Sequence, residues 1–261
     1  MTVTEFAEMA PFDPPLALAS LSGESDAEWA RAGAEYAGAA FLGGIAIDEP
    51  TREAARQMVD RDRSEFLPPD PIGFIDDQLA RLSPVSLTPG FNVRTTTHSP
   101  LERVADVCRA RDAILEINAH CRQEEMCASG AGQTLLTEPV RLCTQVKKAA
   151  AVGARVSVKV RTEVPGVDLP ALAAELETAG ASMLHVDAMD SEAVIADVVD
   201  RTSIPIIANN EVRGRESVHE YLSYGAAAVS VGRPSDDPAV LERVSRAIEQ
   251  FDHGSKTEGS P

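Results

Sequence analysis

The stretch Glu116-Ile117-Asn118-Ala119-His120-Cys121-Arg122-Gln123 starts as an apolar strand and ends in an amide, an imidazole and a thiol. Side chains of these types at a strand end can move protons, hold a metal ion or simply close the strand. Metal binding is disfavoured. Cys127 follows Cys121 at a workable distance, with His120 beside it, but no second paired ligand set accompanies them. The other polar residues that could do chemistry fall at the ends of other apolar runs. They are Ser20, Asn92 with Arg94, Lys159 with Arg161, His185 with Asp187, Asn209 with Asn210, and Gly232 with Arg233.

Lys159 carries the strongest signal among them. It alternates with valines in Val156-Ser157-Val158-Lys159-Val160, so it points to an inward face, and an inward lysine needs an anionic partner. Gly232-Arg233 after an apolar run suits a phosphate cradle. One lysine, several amides, an imidazole and such a loop suit flavin mononucleotide (FMN). Lys159 would stabilise negative charge at the N1–C2=O edge of the reduced ring. Ser20, Asn92, Asn118, His185, Asn209 and Asn210 would hold its polar rim, and Gly232 and Arg233 its 5′-phosphate. Structural alternatives stay open. Asn92 and Asn118 could be a mutual hydrogen-bond pair, Asn209-Asn210 a turn, His185 a satisfied core histidine and Cys121 a small buried hydrophobe. No paired catalytic carboxylates, Ser-His-Asp set or HExxH motif is visible.

The elements that must position these residues follow one grammar. YAGAAFLGGIAI (36–47), AVGARVSVKV (151–160), TAGASMLHVD (178–187) and SYGAAAVSVG (223–232) each end a helical pattern with a glycine and enter a short apolar strand. Gly38, Gly153, Gly180 and Gly225 are expected in the left-handed position past a helix end. Strands are read near 16–20, 40–47, 90–94, 114–119, 155–160, 182–188, 204–209 and 228–232. Helices are read at 26–37, 99–110, 139–152, 169–179, 192–202, 217–224 and 237–251. Alternating units of this number and size predict a (β/α)8 barrel, the TIM barrel, occupying residues 1–252 as a single domain. The rival is a doubly wound open sheet, but no GxGxxG follows the first strand. Residues 50–84 exceed one crossover and predict an extra helix at 73–82. The polar tail 253–261 is expected to be disordered.

Of the 261 residues 44% are hydrophobic, which is enough for one full core. No apolar run is long enough to span a membrane and the first residues show no signal-peptide pattern, so a cytoplasmic protein with free thiols is expected. The net charge of −17, with lysine only at 147, 148, 159 and 256, resembles adaptation to a salt-rich (halophilic) cytoplasm. It also disfavours non-specific nucleic-acid binding, though a local arginine patch could still meet RNA.

Taken together, the landmarks resemble the tRNA-dihydrouridine synthases over residues 14–250. The first-strand turn is matched by Ala19-Ser20-Leu21-Ser22-Gly23, and the strand-three flavin contact by Asn92. The Asn plus GCP-type turn is Asn118-Ala119-His120-Cys121, and the following GxGxxLL is Gly130-Ala131-Gly132-Gln133-Thr134-Leu135-Leu136. The KxR motif is Lys159-Val160-Arg161, the strand-six histidine His185, the NGD turn Asn209-Asn210-Glu211 and the final GR Gly232-Arg233. The resemblance implies an FMN barrel, an NAD(P)H electron donor, tRNA as partner and Arg161 as a substrate contact. It also implies Cys121 as the acid that protonates one uracil carbon while a hydride reaches its neighbour.

The chain departs from that pattern at Arg122, where a proline is expected, at Asp187, where an arginine is expected, and at Asn210, where a glycine is expected. The helical domain that usually follows the barrel is not expected after residue 251. Flavin binding is therefore implied more directly than action on tRNA, and a partner subunit could supply RNA binding. The alternatives are a dihydroorotate-dehydrogenase-like enzyme acting on a free pyrimidine, a non-catalytic flavin-binding homologue, and a flavin-free aldolase with Lys159 as Schiff base. On the leading reading, Lys159 and Cys121 face one cavity.

Overall fold

Short apolar strands are stable only where both faces are covered, and here helices cover the outside and facing strands the inside. A computed structural model describes residues 10–257, with side chains through residue 251. The strands are β1 Leu16–Leu18, β2 Ala39–Ala46, β3 Thr88–Arg94 and β4 Ile114–Asn118, then β5 Arg155–Arg161, β6 Met183–Asp187, β7 Ile206–Asn209 and β8 Ala228–Val231. Each pairs in parallel with its sequence neighbours, and β8 pairs with β1, so the sheet closes on itself. The fold is a (β/α)8 barrel.

The helices are α1 Ala27–Gly33, α2 Glu49–Val59, α3 Pro71–Leu82, α4 His98–Ala110 and α5 Glu124–Ala128. They continue with α6 Pro139–Ala151, α7 Leu169–Ala179, α8 Val194–Val199, α9 Arg215–Ser223 and α10 Pro238–Thr257. Aspartates set several starts. Asp26, Asp48, Asp70 and Asp168 accept hydrogen bonds from the first free N–H groups of α1, α2, α3 and α7. The expected extra helix after β2 is α3. Helix α5 and the 3-10 turn Gly132–Thr137, inserted between β4 and α6, were not expected from the sequence. Helix α10 continues to Thr257, into the expected polar tail, whose last residues, 258–261, lie outside the described residues. Among the described residues no helix is long and apolar enough to cross a membrane.

Gly153, Gly180 and Gly225 have φ of +90°, +104° and +90°, the left-handed conformation expected of them. Gly38 does not share it. Its lack of a side chain serves close packing instead, because a Cβ there would collide with the backbone of Asp13 and Pro14.

Between sheet and helices lies the main aliphatic core, and inside the barrel the side chains stack in layers. The lowest layer is apolar, with Phe12, Phe41, Ile114, Met183 and Ile207 closing the barrel around small alanines. Two residues further along the strands the interior turns polar. Asn92, Glu116, Ser157, His185 and Ser230 are all fully buried there. One more step brings Arg94, Asn118, Lys159, Asp187 and Asn209 to the C-terminal mouth.

Candidate functional site

Glu116 is the centre of the polar layer. Its Oε1 accepts from Asn92 Nδ2 at 2.7 Å, and its Oε2 accepts from Ser157 Oγ at 3.1 Å and lies 2.8 Å from His185 Nδ1. The other ring nitrogen of His185, Nε2, is 2.7 Å from Ser230 Oγ. Burial disfavours the charge on Glu116, but His185, Lys159 and Asn92 outweigh it and hold the carboxyl below its ordinary range. Burial, then the charge of Lys159, pushes the His185 pKa down. Glu116 is thus an anion and His185 a neutral ring, donating from Nδ1 and accepting the Ser230 hydroxyl proton at Nε2. A serine–histidine–acid chain does exist here, unseen in the sequence. Its serine lies at the cavity wall, but its hydroxyl is fully buried and oriented into the histidine, so the chain braces the barrel.

Above it stands Lys159. Its side chain is almost completely buried, yet among the described residues no hydrogen bond or ion pair ends on its ammonium. Burial lowers its pKa, and the carboxylates of Glu116 and Asp187 act in the opposite direction. A buried cation with anions near but no direct partner, at the wall of a cavity, is suited to an electron-rich ligand.

That cavity, about 460 Å³, opens at the C-terminal mouth, and its size is that of a cofactor or substrate pocket. Of the residues singled out in the sequence, Ser20, Lys159, Asn209, Asn210, Gly232 and Arg233 line it. Asn209 donates to the Ser230 carbonyl at 3.1 Å and Asn210 to that of Met189 at 2.5 Å. Asn210 has φ +109°, a conformation that glycine adopts freely and asparagine tolerates better than most, so it can replace the expected glycine. A Cβ on Gly232 would meet nothing within 4 Å, so its backbone is open to the cavity.

The remaining sequence candidates lie elsewhere. Asn92 and His185 are beneath the cavity in the polar layer. Asn118 donates to Asn92 Oδ1 at 2.8 Å, and its own Oδ1 accepts from the Cys121 N–H at 3.0 Å. The Asn92–Asn118 hydrogen-bond pair is therefore formed, and it fixes the turn after β4. Arg161 is buried and donates to Gln133 Oε1 at 3.0 Å. Cys121 does not line the cavity; its side chain packs against Ala54, Met58, Met126 and Ala131. The Gly130-Ala131-Gly132 segment folds back over this turn. Gln133 N–H donates to the Cys121 carbonyl at 2.9 Å, and Gly132, at φ +61°, leaves no room for a Cβ beside that oxygen.

Several positions around the cavity are not legible in the sequence. His120, next to Cys121, lines the cavity and places Nε2 at 3.0 Å from Asp187 Oδ2. Burial lowers the His120 pKa, and Asp187 opposes the shift. With 32% of its side chain exposed, cavity water tempers that desolvation. Arg63, from the extra β2–β3 segment, also lines the cavity, and among the described residues neither Arg63 nor Arg233 forms an ion pair. Arg213 is paired with Glu211 at 2.7 Å. Arg94 braces the wall through a fully buried ion pair with Glu65 (2.6 Å) and a hydrogen bond to Ser22 Oγ (2.8 Å). The one hint of Glu116 was its two-residue spacing from Asn118, which puts both on the inward face.

The donors left open — Lys159, Arg63, Arg233 and the Gly232 backbone — fit an anionic, planar cofactor such as FMN, in a chain that is otherwise strongly acidic. Residues 96–258, more than half of the chain, match the family model described as dihydrouridine synthase (Dus). An uncharacterized protein of Methanocaldococcus jannaschii is 26% identical over 87% of this chain and 91% of its own. Among solved structures, a putative lactate oxidase of Pediococcus acidilactici is similar with TM-score 0.62 and 16% identity, over 94% of this chain and 73% of that one. FabK from Thermotoga maritima is similar with TM-score 0.57 and 16% identity; 89% of this chain is covered, but only 61% of that chain. At these identities the two structures share the barrel fold with this chain.

Proposed function

Because the chain belongs to the dihydrouridine synthase family, we propose that it is an FMN-dependent oxidoreductase that reduces the 5,6 double bond of uracil in tRNA. The observation that carries the reading is Lys159, a buried ammonium without a direct partner at the wall of a cofactor-sized cavity. Reduced FMN, when bound, supplies the hydride. Lys159 then balances negative charge on the cofactor ring, and Ser20, Asn209 and Asn210 hold the polar rim. Gly232 and Arg233 take the phosphate. The Glu116 carboxylate, bonded to the neutral His185, favours the charge on Lys159 from below, and the Asn92–Asn118 pair fixes the turn after β4.

That turn supplies the proton, from the Cys121 thiol that the resemblance selects. NAD(P)H is the electron donor on this reading, and the cytosol is its setting. Arg63 and Arg233 at the mouth suit RNA phosphates, with Arg161 further in as a substrate contact and a partner subunit extending the RNA surface.

The test is direct. The protein purified in high salt should show the visible spectrum of bound flavin, release FMN on denaturation, and convert uridine to dihydrouridine in a tRNA transcript when given NADPH. A colourless preparation that does not take up FMN sinks the proposal. Reduction of free uracil or orotate without RNA would move the substrate to a free pyrimidine.

A further inference from the structure

We propose that Arg63 is the specificity-determining residue of this cavity: it binds a backbone phosphate next to the target uridine, and so favours a uridine within an RNA chain over a free pyrimidine. The inference rests on the reductase reading and deepens it. Arg63 lines the cavity and is exposed at its mouth. Among the described residues its guanidinium makes no ion pair and no hydrogen bond. Glu24 lines the same cavity without pairing to it, and Glu211 is committed to Arg213 at 2.7 Å.

The segment that carries Arg63 is held on both sides. Before it, the chain turns back after α2, with the Asp62 N–H donating to the Val59 carbonyl at 2.9 Å and the Arg63 N–H to that of Met58 at 3.2 Å. Arg61 Nε is 2.6 Å from Glu125 Oε1 of α5. After it, Glu65 is locked in the buried ion pair with Arg94, which donates to its two carboxylate oxygens at 3.1 and 2.6 Å. Gly23, at φ +74°, lies so close to the backbone of Ser64 and Glu65 that a Cβ there would stand 2.5 Å from Glu65 N. The backbone at Arg63 is therefore set before a ligand arrives, and binding has little chain left to order.

The chemistry of the ligand follows from where the two cations stand. Lys159 is 3% exposed at the cavity wall and Arg63 is exposed at the mouth, so a molecule that meets both runs from the interior to solvent. On the reductase reading the FMN phosphate is already taken by Gly232 and Arg233, and free uracil has no anionic substituent to place at the mouth. A uridine within a chain carries a phosphodiester on each side, and the guanidinium fork matches two of its oxygens. Arg122, on the turn after β4, also forms no ion pair among the described residues and leaves the sheet at the same C-terminal end. In a chain of net charge −17, attraction for RNA comes from such local groups.

The experiment measures binding of a fluorescent, unmodified tRNA transcript to the FMN-loaded protein over a range of salt, in wild type, Arg63→Ala, Arg63→Lys and Arg201→Ala. Arg201 is exposed in the α8–β7 connection, at the opposite end of the barrel, and controls for the loss of one positive charge. Arg63→Ala should weaken RNA binding about tenfold and flatten the plot of log affinity against log salt by about 0.7–0.9, the share of one phosphate. Arg63→Lys should recover part of the loss, and Arg201→Ala should show neither change. In turnover with NADPH, Arg63→Ala should raise the KM for the transcript about tenfold with little change in kcat. The preference for the transcript over free uridine, as a ratio of kcat/KM, should fall by the same factor.

Unchanged RNA binding in Arg63→Ala, an equal loss in Arg201→Ala, or a loss that falls on FMN or orotate in place of RNA would each overturn the inference and leave the reductase reading standing. A wild-type protein that holds FMN but reduces only free pyrimidines would also overturn it. One that takes up no flavin would overturn the reductase reading, and the inference with it.

Discussion

The lower and upper halves of the barrel interior are built from the same eight strands and closed by opposite means. Below, Ile114, Met183, Ile207 and Phe41 fill the space with aliphatic and aromatic carbon. Above, two residues along the same strands, Glu116, His185 and Ser230 fill it with hydrogen bonds. The lower layer gains from the removal of apolar surface from water and from dense packing. The upper layer gains little net stability, because each polar group has given up water to make its bond, and it becomes a liability when one partner is lost. The upper arrangement holds charge where a ligand can use it. On β4, β6 and β8 the apolar and the polar layer are separated by a single step along the strand.

Strand β4 carries both regimes, so substitutions along it test the contrast most sharply. Glu116→Ala should have the largest effect. It strands the donors of Asn92, Ser157 and His185 and removes an anion near Lys159, costing about 3–5 kcal/mol in urea unfolding. A cost below about 1 kcal/mol would show that water can replace the carboxylate. Ile114→Ala, two residues earlier, should cost about 2–4 kcal/mol through the cavity it leaves, yet FMN affinity should stay within about twofold of wild type. If flavin affinity fell in step with stability, the two layers would not be separable.

Asp48 extends the comparison to the loops, where one carboxylate does the closing. Its Oδ2 accepts from the Thr96 and Thr97 N–H groups at 2.7 and 2.9 Å and from the hydroxyls of Thr95, Thr96 and Thr97. Asp48→Ala should cost about 2 kcal/mol. Burial works against the charged form, but the bonds from Thr51, Thr96 and Thr97 prevail and lower the pKa. The contribution is therefore complete above the ordinary aspartate value of about 3.9 and lost as pH falls through the lower folded value. The difference between wild type and Asp48→Ala should be flat from neutral pH down to about pH 5 and shrink only below about pH 4. A difference that shrank near neutrality would point to another group. The smallest effect expected is on binding alone. Lys159→Ala should weaken FMN about tenfold, near 1.4 kcal/mol, measured by flavin fluorescence in the apo protein. Unchanged affinity would remove Lys159 from the cofactor site.

Much of this was legible along the chain. Glycine-punctuated helix ends and apolar runs gave the barrel, because both signals are local. Lys159 betrayed itself by alternation, since an inward lysine among valines has few bland explanations. The same alternation in Leu115-Glu116-Ile117-Asn118 is a weaker signal, because a glutamate in a strand usually reads as a solvent-facing residue. Gly38 shows the opposite error. Its sequence context matches its three counterparts, but its role is a close approach by residues 13 and 14 that no local pattern encodes. The turn at 118–123 is legible in the sequence, yet which of its neighbouring side chains faces the cavity depends on how Asn118 and the Gly132 segment hold the backbone.

The sequence by itself determined the order and type of the elements, the end of the barrel that carries the polar residues, and the inward lysine at the cavity wall. Periodicity and turn chemistry act over a few residues, so they survive in a linear reading. Only the tertiary structure decided that Glu116, His185 and Ser230 form one buried chain, that Asp187 meets His120, and that the imidazole reaches the cavity while the thiol turns away. Those pairings join residues far apart in the chain, and closure of the sheet alone brings them within a hydrogen bond of each other.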